Sequence, residues 1–358
     1  MSAVPTATRA DRLAELLGER ELDSLLVTDL VNVRYLTGFT GTNGACVVTP
    51  EKRLFLTDFR YVAQAEEQVR DFDRLPAGRE PANDLAEHLE GRAGFDDANM
   101  TVRTHGRLAG KVGEGVELVA AGGLVERLRE VKDGNELDRI GEAAKLATAA
   151  LEQMLEHGLA GRTERAFARE LEQALRDAGA EDPSFPAIVA AGPHGALPHA
   201  EPRDVEIPRC ALVVIDWGAR LDGYCSDCTR TIATGELDGA AEEVYELVRR
   251  AQAEALAAVR AGAEQRAVDG VARGIIDQAG HDEHFGHGLG HGVGLEVHEG
   301  PRLTKQAEGE LAAGNVVSVE PGVYLPGELG VRIEDLVAVT EDGADVLTSF
   351  PKTLTVVG

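Results

Sequence analysis

The spacing of apolar residues in the last two thirds of the chain predicts helices and buried strands. Apolar side chains recur every three or four residues from Leu137 to Met154, which is the spacing of one helix face. Thr163 is a suitable N-cap for a second helix, and similar spacing indicates further helices within residues 244–259 and 268–276. The uninterrupted apolar run from Cys210 to Ile215 indicates a buried strand instead.

These elements occur twice in the same order. Two helices precede a strand pair that carries Asp216 and Asp227, and two more helices precede a second strand pair with Glu320 and Glu334. The repetition predicts two similar halves that face each other across a shared sheet, with the four acids converging at the centre. A carboxylate buried at a strand end is costly unless it is paired or bound to a metal ion, so all four are candidate ligands.

The first third of the chain alternates short helices with short strands. Residues 8–19 and 59–69 predict helices, and the run from Ser24 to Thr28 predicts a buried strand. This alternation is typical of an α/β domain with a largely parallel or mixed sheet. A chain of 358 residues is too long for one typical core, so we expect two domains, residues 1–132 and 133–358.

Glycine and histidine dominate the stretch from Phe285 to Glu299. Glycine occupies every second position from Gly286 to Gly294, a pattern that disfavours a helix because each interior glycine costs about 1 kcal/mol relative to alanine. An extended segment fits better, with a bare face that a metal cluster or a substrate main chain could approach and imidazoles on the other face. The glycines do not match the G-x-G-x-x-G dinucleotide loop, and a purely structural turn is the alternative.

Charge and hydropathy narrow the expected partners and location. The net charge is −26, which disfavours nucleic acid or an anionic membrane as a partner, because phosphate binding needs a basic surface. Apolar runs are shorter than the ~18 residues of a membrane span, and the segment from Met1 to Glu15 lacks the hydrophobic core of a signal peptide. We therefore expect a cytoplasmic protein.

Four cysteines in such a chain indicate free thiols. Cys225 and Cys228 form a C-x-x-C pair that we place on one strand, where positions three apart point to opposite faces. A zinc or redox site is therefore disfavoured, and both residues are interpreted as small buried filler.

The four acids and His291 together form a set of four carboxylates and one imidazole. Two divalent cations would balance four carboxylate charges. Oxygen ligands with one nitrogen suit Mn²⁺ or Co²⁺ best, with Zn²⁺ or Fe²⁺ also possible. A pair of such ions about 3.5–4 Å apart would hold a bridging water and lower its pKa.

Five segments of the chain resemble the pita-bread metallopeptidases, specifically the Xaa-Pro aminopeptidase and prolidase branch. They are 215–218 (Ile-Asp-Trp-Gly), 224–231, 290–299, 318–324 (beginning Ser-Val-Glu-Pro-Gly) and 331–335 (Val-Arg-Ile-Glu-Asp). The first domain resembles the creatinase-type N-terminal domain through Asn32–Phe39 and Thr57–Tyr61. The resemblance implies an α/β N-terminal creatinase-like domain followed by an α+β C-terminal pita-bread (creatinase/aminopeptidase) domain.

The resemblance implies which residues hold the metal ions. The family's dinuclear ligands match Asp216, Asp227, His291, Glu320 and Glu334. Asp227 and Glu334 match the positions that bridge both ions, and Glu320 also matches the group that takes a proton from the attacking water.

Other matched residues imply catalytic and supporting roles. His298 matches the histidine that stabilises the scissile carbonyl, His199 a substrate-side histidine, and His287 a further active-site histidine. Arg332 and Tyr324 match residues that orient the ligands.

The implied activity is that of a dinuclear-metal Xaa-Pro peptidase, a metallo-exopeptidase that cleaves between an N-terminal residue and proline by attack of a metal-bridging hydroxide. Proline-containing di- or oligopeptides are the expected substrates. Arg302 resembles a prolidase arginine that pairs with a dipeptide carboxylate, but an exposed loop arginine is an equal alternative. Aminopeptidase P and Xaa-Pro dipeptidase (prolidase) therefore both stay open.

A homodimer is also expected, because family members commonly dimerise through the first domain. Arg60 and the loop 42–44 could then cap the neighbouring subunit's site. A monomeric enzyme with full activity in dilute solution would contradict this hypothesis.

Three other protein classes share the fold. A creatinase-type amidinohydrolase works without metal, and the intact ligand set disfavours it. A non-catalytic pita-bread protein that binds peptides or proteins typically loses ligands, which this chain retains. Methionine aminopeptidases usually lack the first domain.

Overall fold

The computed structural model describes residues 8–357 and divides into two compact units. The first ends at Arg129 and the second begins at Glu130. The assignment of residues 1–132 and 133–358 to domains with separate roles stays a prediction. Each unit is described by itself below.

A six-stranded mixed sheet forms the first unit, in the order β4-β3-β2-β1-β5-β6. The strands are β1 (Ser24–Val27), β2 (Gly44–Val48), β3 (Arg53–Thr57), β4 (Asp73–Pro76), β5 (Arg92–Phe95) and β6 (Glu117–Ala120). The helices are α1 (Arg9–Glu19), α2 (Leu30–Thr37), α3 (Val62–Gln68), α4 (Pro81–Asp84), α5 (Val102–Ala109) and α6 (Leu124–Glu130), with a 3-10 turn at Leu85–His88. Strand β2 runs antiparallel to both β1 and β3, and the remaining pairs are parallel. The predicted mixed sheet is confirmed.

Local sequence accounts for the boundaries of the first helices. Thr8 caps α1 and exchanges hydrogen bonds with Asp11 in a capping box, so the helix predicted over 8–19 is confirmed. The helix predicted over 59–69 begins only at Val62. Asp58 accepts the backbone N–H and the guanidinium of Arg60 instead, which makes the segment before α3 a turn.

The second unit contains four long helices and thirteen strands. The helices are α7 (Gly134–Leu155), α8 (Glu164–Asp177), α9 (Gly239–Ala258) and α10 (Gln265–Gln278), with 3-10 turns at Gly192–Ala196 and Asp282–His284. The first strands are β7 (Asp182–Pro183), β8 (Ile188–Ala191), β9 (Leu212–Trp217), β10 (Ala219–Leu221), β11 (Tyr224–Cys225) and β12 (Cys228–Ala233). The others are β13 (Gly290–Gly292), β14 (Glu299–Leu303), β15 (Val316–Val319), β16 (Gly322–Leu325), β17 (Leu329–Arg332), β18 (Asp335–Val339) and β19 (Ala344–Val346). All four predicted helices are confirmed, and the Thr163 side chain accepts the Ala166 N–H as the predicted N-cap of α8.

Two separate sheets carry the acids, so the expectation of one shared sheet is wrong. One sheet has the order β12-β9-β8 and the other β14-β13-β15-β18-β19. The backbone N–H of Glu334 donates to the Thr229 carbonyl at 3.0 Å, which brings the ends of β12 and β18 together. The acids therefore converge where the two sheets adjoin.

Each sheet packs against its own pair of helices, as the repeated sequence order predicted. Leu151 of α7 and Phe167 of α8 share a core with Trp217 of β9. Val248 of α9 and Val337 of β18 belong to a second core. All five side chains are at most 1% exposed, so burial of these apolar faces stabilises the strand ends that carry the acids.

The glycine-rich stretch is extended over only three residues, Gly290–Gly292. A Cβ at Gly290 would lie 1.9 Å from the Ser318 carbonyl oxygen, and one at Gly292 would lie 1.9 Å from the Gly300 carbonyl oxygen. The bare glycine face therefore admits neighbouring backbone. The prediction that it admits a metal cluster or substrate main chain is wrong at these two positions.

Cys225 and Cys228 lie on different strands, β11 and β12, which corrects their predicted place on one strand. Both thiols are buried, and burial raises the pKa of Cys225 to about 11. This burial agrees with the interpretation of both residues as filler. Within residues 8–357, no helix is both long enough and apolar enough to cross a bilayer.

Candidate metal centre and active site

Strand ends position the predicted ligands. Asp216 is the penultimate residue of β9, and Asp227 immediately precedes β12. Glu320 follows β15, Glu334 precedes β18, and His291 is the middle residue of β13. Five strands, β9, β12, β13, β15 and β18, thus position these five polar side chains.

The structure brings these five side chains together. Ligand oxygens of Asp216, Asp227 and Glu334 all lie within 4.8 Å of one another. His291 Nε2 lies 3.2 Å from Glu320 Oε1 and 3.7 Å from Asp227 Oδ2. Asp227 is 5% exposed and Glu334 1% exposed, so water screens their charges poorly.

The carboxylates repel one another in this buried setting. Burial, and then the neighbouring carboxylates, raise the pKa of Asp227 and of Glu334 well above the ordinary range. Burial also raises the pKa of Asp216, although Arg332 opposes the shift. Burial favours the neutral form of Glu320 too, but its hydrogen bond with His291 and the nearby positive charges lower its pKa to about 2.

Two buried oxygens of the cluster accept no hydrogen bond from the described part of the chain. They are Asp216 Oδ1 and Glu334 Oε1. A buried acceptor without a donor is costly, and a cation would satisfy it. The donor set, mostly carboxylate oxygen with one imidazole, fits divalent transition-metal ions.

Arg332 and Thr229 hold the carboxylates in orientation. Arg332 Nη2 lies 2.7 Å from Asp216 Oδ2, and its Nε donates to Thr229 Oγ1 at 2.9 Å. The Thr229 hydroxyl in turn donates to Glu334 Oε2 at 2.8 Å. Thr229 was not predicted as a site residue, because threonine is common in strands. Its position between Asp227 and Arg230, at the polar end of a strand, is the sequence feature that could have identified it.

Ser318 is a second residue that the sequence analysis missed. Its hydroxyl donates to Glu320 Oε1 at 2.9 Å and accepts the backbone N–H of His291 at 3.1 Å. The side chain is fully buried at the end of an apolar run. Ser318 therefore links two predicted ligands on neighbouring strands.

Two of the predicted histidines, His287 and His298, lie beside the cluster in different settings. His287 Nδ1 lies 2.7 Å from the Gly288 carbonyl, which leaves Nε2 to accept from Tyr324 at 2.9 Å. The Tyr324 oxygen accepts from Arg332 Nη1 at 3.0 Å, so its own proton points to His287. Burial lowers the pKa of His287, which agrees with a neutral ring. The ring of His298 packs edge-on against that of His291, with 4.4 Å between centroids.

The cluster forms the floor of a cavity of about 500 Å³. His199, His287, His298 and Arg302 line it with the five predicted ligands and Arg332, whereas Tyr324 lies behind His287. An apolar wall, which the sequence analysis did not assign, is formed by Phe185, Pro186, Ala187 and Ile188. The sequence feature that could have identified this wall is the Pro-rich segment that begins at Pro183 and connects α8 to the strands.

Comparison with known families covers both units of the chain. The sequence model for metallopeptidase family M24 matches residues 138–341, and that for the Creatinase/Prolidase N-terminal domain matches residues 9–131. The chain is 33% identical to the Xaa-Pro dipeptidase of Pyrococcus furiosus over 355 residues, which cover 97% of this chain and 99% of that protein.

Solved structures give the same result. The Xaa-Pro dipeptidase from Bacillus anthracis matches with a TM-score of 0.94 and 36% identity, over 98% of this chain and 99% of that one. The X-Pro aminopeptidase from Thermotoga maritima MSB8 matches with a TM-score of 0.87 and 33% identity, over 98% and 100% of the two chains. These matches confirm the predicted creatinase-type and pita-bread domains and the predicted class, a metallo-exopeptidase. The chain therefore belongs to metallopeptidase family M24, in the prolidase and aminopeptidase P branch that its motifs resemble.

Proposed function

We propose that this protein cleaves the bond between an N-terminal residue and proline in short peptides, with two divalent cations held by the five converging ligands. The observation that supports this proposal most strongly is the cavity, which is lined by the four carboxylates and His291. Its walls carry His199, His298 and Arg302. The substrate class follows the names of the relatives, which are Xaa-Pro dipeptidases and an X-Pro aminopeptidase.

Each ligand side chain has a distinct part in this proposal. Divalent cations held by these side chains would supply a Lewis acid that polarises the scissile carbonyl and makes an attacking water more acidic. Mn²⁺ or Co²⁺ fits the donor set best. Asp227 and Glu334, which match the family's bridging positions, would hold both cations, and Asp216, His291 and Glu320 would complete the set.

Proton transfer would involve Glu320. Its Oε1 accepts from Ser318 and lies 3.2 Å from His291 Nε2, so the carboxylate is fixed at the cluster. We propose that Glu320 takes the proton of the attacking water and passes it toward the proline nitrogen as that bond breaks. An amide nitrogen must gain a proton to leave, so one carboxylate serves both steps.

His298 would stabilise the developing negative charge on the carbonyl oxygen. Burial, then the neighbouring His291 and Arg302, lower its pKa, so the ring is neutral near neutral pH. A neutral imidazole still has one N–H to donate to that oxygen. His199, which also lines the cavity, is proposed to contact the substrate.

Arg302 favours a dipeptide over a longer peptide. Its exposed guanidinium makes no hydrogen bond or ion pair within residues 8–357, yet it lines the cavity. A free guanidinium can bind the carboxylate of a C-terminal proline in a bidentate way. The second candidate is an aminopeptidase, favoured by the Thermotoga maritima neighbour.

This function is tested by measuring hydrolysis of Ala-Pro, Ala-Pro-Ala and Ala-Ala by metal-stripped protein, before and after Mn²⁺ or Co²⁺ is added. Metal-dependent cleavage of Ala-Pro alone is the expected result. Cleavage of Ala-Pro-Ala identifies an aminopeptidase instead. Protein that binds the metal but cleaves none of the three contradicts the proposal and favours a non-catalytic binding protein.

A further inference from the structure

Two charged side chains in the cavity wall have no partner within the described residues. Arg302 is one, and Glu201 is the other: each makes no hydrogen bond and no ion pair with any residue from 8 to 357. Both residues are exposed and line the cavity. The remaining charged lining residues either belong to the carboxylate cluster or, like Arg332, are already paired with it.

These two charges belong to different walls. Arg302 lies on β14, in the five-stranded sheet that also carries His291. Glu201 follows His199 on the segment after β8, and β8 belongs to the three-stranded sheet. Ile188 of β8 is paired in register with Asp216, so β8 lies beside a strand that carries one of the proposed ligands.

The segment that carries Glu201 is held at several points. The carboxylate of Glu164, 1% exposed, accepts the backbone N–H of Ala191 at 2.9 Å and that of Arg203 at 3.1 Å. Arg332 Nη1 donates to the Pro198 carbonyl at 3.1 Å. Glu201 therefore extends from a fixed main chain, which reduces the entropy lost when its carboxylate binds a ligand.

From this arrangement we infer that Glu201 selects peptides whose first residue has a cationic side chain, lysine or arginine. The inference rests on the proposed function: if Arg302 binds the carboxylate of proline, the first residue of the peptide lies away from Arg302, and we place it against the wall formed by β8 and the segment that carries Glu201. That wall offers apolar contact from Phe185 and Ile188 for the methylene stem of the side chain, and the Glu201 carboxylate for its charge. An exposed ion pair of this kind gives roughly a two- to fivefold preference.

Three dipeptides that differ in the first residue, Lys-Pro, Leu-Pro and Glu-Pro, test the inference on metal-loaded protein. The wild type should show the highest kcat/KM for Lys-Pro and the lowest for Glu-Pro. Glu201→Gln should remove this order, so that the ratio of kcat/KM for Lys-Pro to that for Leu-Pro falls roughly two- to fivefold. Glu201→Lys should reverse it in favour of Glu-Pro. Glu206→Gln, an exposed residue of the same segment outside the cavity lining, is the matched control and should behave as wild type.

Different outcomes separate this inference from the proposed function. A wild type that hydrolyses Leu-Pro without preferring Lys-Pro overturns only the inference, and so does an equal loss on all three dipeptides in Glu201→Gln. Hydrolysis of none overturns the proposed function. In that case the affinities of Lys-Pro and Leu-Pro, measured by calorimetry, still decide the inference: it requires tighter binding of Lys-Pro that Glu201→Gln abolishes.

Discussion

Arg332 donates from Nε to the hydroxyl oxygen of Thr229 at 2.9 Å, and this single contact connects two of the carboxylates. Arg332 pairs with Asp216, and the Thr229 proton is directed to Glu334. A guanidinium and a hydroxyl thus set the orientation of two proposed ligands, whose other oxygens accept no hydrogen bond from residues 8–357.

The first prediction concerns Thr229. Thr229→Val keeps the shape of the side chain but removes the donor to Glu334, so Mn²⁺ affinity should fall about 10- to 100-fold. Calorimetric titration of the stripped protein measures this change. Thr229→Ser, which keeps the hydroxyl, should bind Mn²⁺ nearly as well as wild type. Equal affinity in the valine and serine variants contradicts the assigned role.

A second prediction concerns Glu164, whose carboxylate holds the backbone of Ala191 and Arg203 and contacts His194 Nδ1 at 2.9 Å. Glu164→Gln removes the charge from this contact set and should lower kcat/KM for Ala-Pro roughly tenfold. Mn²⁺ affinity should not change, because no proposed ligand contacts Glu164. Trypsin should cut faster after Arg203 in folded protein.

Glu170→Gln is the control for Glu164, since Glu170 is exposed on the same helix and its one ion pair among the described residues is with Arg162. It should leave activity and trypsin cleavage unaltered. A Glu164→Gln protein with normal cleavage and normal kcat/KM would show that the segment does not depend on this carboxylate.

The third prediction concerns pH. In the metal-free fold, the raised pKa values of Asp227 and Glu334 mean that the folded protein holds protons that the unfolded chain has released. The contribution of these protons to the free energy of unfolding is therefore lost as pH rises through the folded pKa values. Bound cations replace the protons, so the difference in melting temperature between Mn²⁺-loaded and metal-free protein should widen from acidic toward neutral pH.

Circular dichroism melts of both forms across this pH range measure the difference. In a variant with Asp227→Asn and Glu334→Gln, the titrating groups are absent and Mn²⁺ should give little stabilisation at any pH. A wild-type difference that stays constant with pH contradicts the assignment of these carboxyls as ligands.

The fourth prediction concerns Arg302. Arg302→Gln should raise KM for Ala-Pro roughly tenfold with little change in kcat, because the lost contact is made equally in the ground and transition states. Ala-Pro amide lacks the carboxylate, and its hydrolysis should not respond to the substitution. Lys305→Gln, an exposed neighbour outside the cavity lining, is the matched control. Equal effects on the acid and the amide argue against carboxylate recognition.

Local sequence patterns predicted the carboxylates of the site, because a buried carboxylate without a partner is energetically costly. Asp216, Asp227, Glu320 and Glu334 lie in or beside strand runs, where a lone buried carboxylate is unfavourable, so their convergence was predicted. Helix boundaries such as Thr163 were also predicted, because capping depends on residues that are close in sequence.

Features that depend on distant partners were predicted less well. The spacing of Gly290 and Gly292 reflects the carbonyls of Ser318 and Gly300, which are adjacent only in the folded chain. Division into two sheets likewise depends on which strand edges pair, and strand periodicity does not encode this. Glu164 resembles any acid in the first turn of a helix until its contacts with the segment at 191–203 are known.

The most direct measurement of the central claim is a titration of metal-stripped protein with Mn²⁺ while the hydrolysis of Ala-Pro is followed. Five ligands for a cation pair predict no activity without metal and a plateau at two ions per chain, with Asp227→Asn inactive at the same Mn²⁺ concentrations. Hydrolysis of Ala-Pro by fully stripped protein, or a plateau at one ion per chain, would contradict the dinuclear mechanism.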